Sequence, residues 1–192
     1  MINSLFSSAR ERRLWTALLI VLAAIYATLA HAPAIAAMLR ERNSLTVTIF
    51  LVSLWSLVVI AIFFIRGRPG RAEIAVGIGI LIVYLMAWLR IGIATPEERT
   101  HLFEYSLVAA LVHEALLERR ANGRRVPAPA LLALIISVLL GWLDEGIQSL
   151  LPNRVYDNID VLFNALAATM IIGSRWLLSF VGRIVRARRG KS

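Results

Sequence analysis

Six long apolar blocks divide the chain, and they constrain its fold more than any other feature of the sequence. A helix that crosses about 30 Å of hydrocarbon needs about 20 predominantly apolar residues. Hydrophobic residues make up 59% of the 192 residues, whereas a soluble domain has about 45–50%. The sequence therefore predicts an all-α fold, a polytopic transmembrane helix bundle of six helices. The blocks cover approximately residues 14–39, 45–65, 72–93, 101–117, 127–143 and 155–181.

Two of these blocks are less regular than the others. The fourth carries Glu104 near one end and His113 and Glu114 near the other, which makes it the weakest span. The first contains His31 and Pro33, and a proline interrupts helical hydrogen bonding. We therefore expect the first helix to kink or unwind towards its end.

The basic residues indicate how the bundle is oriented. Of the 21 Lys and Arg residues, 15 lie at the two termini and in the connections after the second and fourth blocks, and 5 lie in the other three connections. Positive residues favour the cytoplasmic side of a membrane. We therefore predict that both termini are cytoplasmic (N-in/C-in). Eight of the 12 acidic residues then fall on the outer side.

Composition also narrows the range of partners. The net charge of +9 comes from basic residues between apolar blocks, so we predict membrane lipids as partners and no nucleic acid. The chain has no cysteine, which excludes disulfides, zinc–thiolate sites and thiol nucleophiles. The residues point to no particular cofactor, and we predict no resident metal.

Polar residues are concentrated at three helix ends on the predicted outer side. Within each end they recur three or four positions apart, which places them on one helix face. Ionisable groups near the centre of a membrane helix cost about 2.5–3.5 kcal/mol each, and they persist where they face a protein interior or a wet cavity. We therefore predict an outward-facing polar pocket. Its candidate residues are His101, Glu104, Tyr105, Glu145, Gln148, Arg154, Asp157, Asp160 and Asn164, with Asp144 beside them.

Simpler roles remain open for several of these residues. Glu104 and Asp157 suit helix N-termini as caps, and Gln148 and Asn164 suit hydrogen bonds between helices. Arg154 is the one basic residue between the fifth and sixth blocks. It suits either an ion pair with a nearby aspartate or a bidentate contact with an anionic ligand group.

These residues, in this order, resemble the VanZ-like family of bacterial membrane proteins. The resemblance rests on the motifs His101-Leu102-Phe103-Glu104-Tyr105, Glu145-x-x-Gln148, Arg154, Asp157-x-x-Asp160 and Asn164, and it covers about residues 72–181. It implies an N-terminal two-helix addition over 1–71, a VanZ-like four-helix domain over 72–182 and a basic cytoplasmic tail over 183–192. The family has glycines three and seven residues after the asparagine, where this chain has Ala167 and Ile171. We therefore expect different helix packing below the pocket.

The resemblance implies a multi-pass protein of the bacterial inner membrane that works on the cell envelope. The founding member is linked to antibiotic resistance, namely to the glycopeptide teicoplanin, and the family has no established reaction. The expected function is binding of, or action on, envelope material: a lipid-linked glycan, a peptidoglycan precursor or a glycopeptide.

Two alternatives of different classes remain. Acidic residues such as Asp144 and Asp160 offer the hard oxygen ligands that Mg²⁺ accepts, which would suit an intramembrane enzyme acting on a lipid phosphate. Buried acids beside a histidine can also relay protons in a small transporter. Under any of the three functions, we expect alanine at Asp160 or Gln148 to impair function more than alanine at Glu11.

Overall fold

The computed structural model describes residues 5–29, 31–64, 74–75, 77–82, 99–151 and 156–189. Within these ranges the regular structure is entirely helical, so the predicted all-α class is confirmed there, and residues 77–82 lie in a short helical stretch. Much of the third predicted block, the connection after it and residues 152–155 lie outside the described residues. The six principal helices are α1 (Ala9–Leu29), α2 (Ala32–Glu41), α3 (Leu45–Phe64), α4 (Arg99–Ala121), α5 (Pro129–Gln148) and α6 (Asn158–Arg189).

Helix α4 lies at the centre of the bundle, where it packs against α1, α3, α5 and α6. Val108, Ala109 and Val112 of this helix have no exposed surface. This position explains why the fourth block is the least apolar. A helix surrounded by protein can carry polar side chains because its neighbours, and not lipid, provide their partners.

The first predicted block forms two helices, as its proline led us to expect. Helix α1 ends at Leu29 and α2 begins at Ala32, with Pro33 in the first turn of α2. Proline suits this position because the first-turn N–H groups have no partner within the helix. The buried residues of α1 recur every three or four positions, so this helix presents one face to α4.

Three of the described helices are long and apolar enough to cross a membrane. They are α1, α5 and the part of α6 from Asn158 to Ile184. Helix α4 is absent from this group, and α3 contributes a shorter apolar stretch, Leu45–Trp55, among the described residues. The count of six spans and their orientation therefore stay predictions.

Helices α5 and α6 run antiparallel and approach closely at Gly141. A Cβ atom added there would lie 2.7 Å from Cβ of Asn164 and 2.9 Å from its Nδ2 atom. Glycine is needed at this position because any larger residue would push the two helices apart. Helix α6 then continues to Arg189, so it extends beyond the predicted end of the sixth block at residue 181.

Candidate functional site

Helices α4, α5 and α6 bring buried polar side chains together at one end of the bundle. Asp144 and Asn164 are fully buried, Glu145 is 1% exposed and Asp160 is 6% exposed. Asp160 and Asn164 are four residues apart on α6 and so share one helix face, whereas Asp144 and Glu145 are adjacent on α5. We call this group the polar cluster. It consists of Tyr105, Asp144, Glu145, Gln148, Asp160 and Asn164.

Gln148 links the two acidic residues of α5. Its Nε2 atom donates to Oδ2 of Asp144 at 3.2 Å and lies 3.3 Å from Oε1 of Glu145. Two buried carboxyl groups therefore converge on one amide nitrogen. Such a concentration of acceptors favours a ligand that supplies hydrogen-bond donors, such as hydroxyl or amine groups.

Glu145 also joins α5 to the start of α6. The backbone N–H of Asp157 donates to Oε2 of Glu145 at 3.3 Å, and the backbone N–H of Ile159 donates to Oδ1 of Asp157 at 2.7 Å. The Asp157 side chain thus accepts one N–H group in the first turn of α6, as a helix cap does. Asp157 is half-buried and lies at the rim of the polar cluster.

Two tyrosines, Tyr105 and Tyr26, interact with Asp144. The Tyr105 hydroxyl donates to the backbone carbonyl of Leu140 at 3.2 Å and lies within hydrogen-bonding reach of Asp144. Tyr26 of α1 lies within electrostatic range of both Asp144 and Tyr105, and its hydroxyl is buried. The sequence prediction missed Tyr26. Its position four residues after Leu22 and eight after Leu18, both buried against α4, was a signal that could have revealed it.

Of the three remaining predicted pocket residues, Glu104 is the one whose side chain the structure describes. Glu104 is half-buried on α4, next to Tyr105. His101 lies in α4, but its side chain is outside the described part of the chain, and so is the whole of Arg154. The structure therefore brings together Tyr105, Glu145, Gln148, Asp160 and Asn164, with Asp157 at the rim.

Two further polar or small residues of α5 were not predicted. Ser137 is fully buried and lies one turn from Gly141 on the same helix face. Serine and glycine in an apolar run usually indicate close helix packing, so this spacing pointed to the α5–α6 contact. It did not indicate that Asn164 fills the space above Gly141.

The opposite end of the bundle holds a set of ion pairs. Glu114 of α4 lies 3.0 Å from Arg10 of α1 and 2.5 Å from Arg175 of α6. Arg10 also bonds to Glu118 at 2.8 Å, and Ser8 Oγ donates to Glu118 at 2.9 Å. These contacts join α1, α4 and α6. Hydrogen bonds from Ser8, Asn122 and Arg10 hold the pKa of Glu118 below its ordinary value, against the effect of burial.

Glu11 belongs to the same end and is fully buried. Its carboxylate accepts hydrogen bonds from Arg119 at 2.8 Å and from both N and Oγ of Ser7 at 2.6 Å. Glu11 is therefore a structural residue, and its substitution is not a neutral comparison for the polar cluster. The exposed Glu41 is a better control.

A layer of apolar side chains separates the two polar ends. Ala109 and Ala110 of α4 pack with Ala168 and Ile171 of α6, and all four are buried. Ile171 is 3% exposed and is the largest of these four side chains. Within the described residues, the polar groups thus do not form a continuous path through the bundle.

Comparisons with known proteins give no assignment. No family model, no curated protein and no solved structure matches the chain. Among the described residues, no group of three or more His, Cys, Asp or Glu side chains is arranged to hold a metal ion. The described part of the chain is thus all-helical, with three helices suited to a membrane and a buried polar cluster at one end.

Proposed function

We propose that this chain is a VanZ-like, six-span protein of the bacterial inner membrane with both termini in the cytoplasm. We further propose that its polar cluster opens on the outer side and binds a lipid-linked precursor of the cell envelope. The observation that carries the proposal is the burial of Asp144, Glu145, Asp160 and Asn164 together at one end of the bundle. The charge count assigns that same end to the outside.

Burial makes these ionisable groups costly. Removing a carboxylate from water costs on the order of several kcal/mol, even after the protein relaxes around it. Packing alone would be served equally well by apolar side chains of similar volume. Three acidic groups and two amides at one site therefore favour a binding role over a purely structural one.

The surroundings of the cluster favour a ligand with a lipid tail. Large apolar side chains are exposed on α5 and α6 beside it: Trp142 is 58% exposed, Ile159 is 56% exposed and Leu162 is 65% exposed. Such a surface suits contact with hydrocarbon. A molecule that reaches the cluster along this surface would keep its tail in the bilayer and place its polar head among the carboxylates.

The side-chain types favour a sugar as that polar head. Carboxylates and amides accept and donate hydrogen bonds to hydroxyl groups, whereas acidic groups repel phosphate. In this proposal the phosphate of the ligand is bound by Arg154, the one basic residue of the connection between α5 and α6. The apolar layer around Ile171 favours binding over proton-linked transport.

A binding experiment in nanodiscs tests the proposal. The probe is a radiolabelled polyprenyl diphosphate that carries N-acetylglucosamine, and the variants are Asp160→Ala, Gln148→Ala and the exposed control Glu41→Ala. We expect saturable binding that falls at least about 10-fold in the two cluster variants and stays unchanged in the control. Absence of binding to the wild-type protein would overturn the proposal. Release of phosphate from the probe would favour the enzyme, and a proton-coupled flux lost in Asp160→Asn would favour the transporter.

A further inference from the structure

Two side chains at the floor of the polar cluster have polar atoms with no hydrogen-bond partner among the described residues. Asn164 and Ser137 are both fully buried. Neither the Oδ1 nor the Nδ2 atom of Asn164, nor the Oγ atom of Ser137, makes a hydrogen bond within the described structure. A buried polar atom left in this way costs about 1–3 kcal/mol. Their retention therefore calls for an explanation.

Other hydroxyl groups of the same bundle show what is unusual about Ser137. Ser106 donates to the Leu102 carbonyl four residues earlier at 2.6 Å, and Thr169 donates to the Ala165 carbonyl at 2.8 Å. A helical serine ordinarily satisfies its hydroxyl in this way. Ser137 has no such bond within the part of the chain that the structure describes, so its hydroxyl keeps unused hydrogen-bonding capacity.

The position of Asn164 is set by the missing side chain of Gly141. Because a Cβ atom at Gly141 would lie 2.9 Å from Nδ2 of Asn164, the amide occupies the space above this glycine. Gly141 precedes Asp144 by three residues and Glu145 by four, so all three lie on one face of α5. Asn164 is likewise one turn from Asp160 on α6. The amide therefore lies directly beneath the acidic part of the cluster, with Ser137 one turn deeper.

From these observations we propose that Asn164 and Ser137 form a subsite for one uncharged ligand group that both donates and accepts hydrogen bonds. A sugar hydroxyl or an acetamido group has this character, since the amide of Asn164 and the hydroxyl of Ser137 each offer a donor and an acceptor. This inference rests on the proposed function and deepens it. It assigns the sugar, and not the phosphate, to the floor of the cluster.

Paired probes and two variants test the subsite. Binding to the full chain in nanodiscs is measured with a polyprenyl diphosphate that carries N-acetylglucosamine and with the same polyprenyl diphosphate lacking the sugar. The variants are Asn164→Leu and Ser137→Ala, and the control is Thr169→Val, whose exposed hydroxyl is bonded within its own helix. The unfolding temperature of each unliganded protein is measured alongside.

We expect Asn164→Leu to weaken binding of the sugar-bearing probe about 10-fold or more, and Ser137→Ala about threefold to 10-fold, because hydrogen bonds to the ligand are lost. Binding of the sugarless probe and binding by the control should change less than about twofold. The unliganded variants should unfold at the wild-type temperature or above it, because neither side chain has a hydrogen bond to lose in the free protein.

Three outcomes would overturn the subsite. If both probes weaken equally, Asn164 does not recognise the sugar. If Asn164→Leu and Ser137→Ala bind the sugar-bearing probe as the wild type does, the two side chains contact buried water only, and the proposed function still stands. If the wild type binds neither probe, the proposed function fails and the subsite fails with it.

Discussion

The close approach of α5 and α6 at Gly141 leads to a quantitative prediction. In Gly141→Ala the new methyl group would lie 2.7 Å from Cβ of Asn164, whereas carbon atoms pack favourably at about 3.5–4.0 Å. The two helices must therefore separate by about 1 Å. Overpacking of this kind costs about 1–3 kcal/mol, and the better helix propensity of alanine returns about 0.5–1 kcal/mol. We expect a net destabilisation of about 1–2 kcal/mol.

Gly146 provides the matched control on the same helix. A Cβ atom there meets no described atom within 4 Å, so Gly146→Ala should be neutral or stabilising by up to about 1 kcal/mol. Denaturant unfolding of the purified protein in mixed micelles gives both free energies. The double variant Gly141→Ala with Asn164→Gly should be more stable than the sum of the single effects indicates, because the second change removes the clashing atom. Equal stabilities for Gly141→Ala and Gly146→Ala would refute the predicted helix contact.

The ion pairs at the other end give two further predictions. Arg119→Leu leaves the buried carboxylate of Glu11 without its charged partner. We therefore expect the unfolding free energy to fall by about 3 kcal/mol. For the exposed control Glu41→Gln we expect a change within about 0.5 kcal/mol. The hydrogen bond from Ser8 lowers the pKa of Glu118 from its ordinary value of 4.5. The contribution of Glu118 to stability is thus complete above pH 4.5. It is lost as the pH falls through the lower pKa that Glu118 has in the folded protein. Acid titrations of stability should therefore show a shallower decline in Glu118→Gln than in the wild type, and identical curves would contradict this assignment.

The parts of the site that follow helical periodicity were predictable from the sequence. Glu145, Gln148, Asp160 and Asn164 recur at spacings of three and four, and the structure buries all of them at one end of the bundle. Local spacing is sufficient here because residues three and four apart lie on the same helix face whatever the tertiary structure. The break between α1 and α2 was predictable for a similar reason, since Pro33 acts on the backbone locally.

Features that depend on which helices are neighbours were not predictable from periodicity. Tyr26 approaches Asp144 because α1 packs against α4, and nothing in either segment alone specifies that pairing. Arg175 did carry a signal, because an arginine inside an apolar block requires an acidic partner. The sequence does not identify that partner as Glu114, which is about 60 residues away along the chain. The division into a two-helix addition and a four-helix domain stays a prediction.

The proposed function requires that the polar cluster faces outward and holds a ligand, and one labelling measurement tests both requirements. The chain contains no cysteine, so Asp157→Cys at the rim and Asn122→Cys at the opposite end each provide a single thiol. In intact cells a membrane-impermeant maleimide should label Asp157→Cys, and Asn122→Cys should react only after the membrane is opened. In nanodiscs, the polyprenyl diphosphate that carries N-acetylglucosamine should slow labelling of Asp157→Cys. The reverse pattern of labelling in cells would contradict the outward-facing orientation of the polar cluster. Equal labelling rates of Asp157→Cys with and without the probe would contradict ligand binding there.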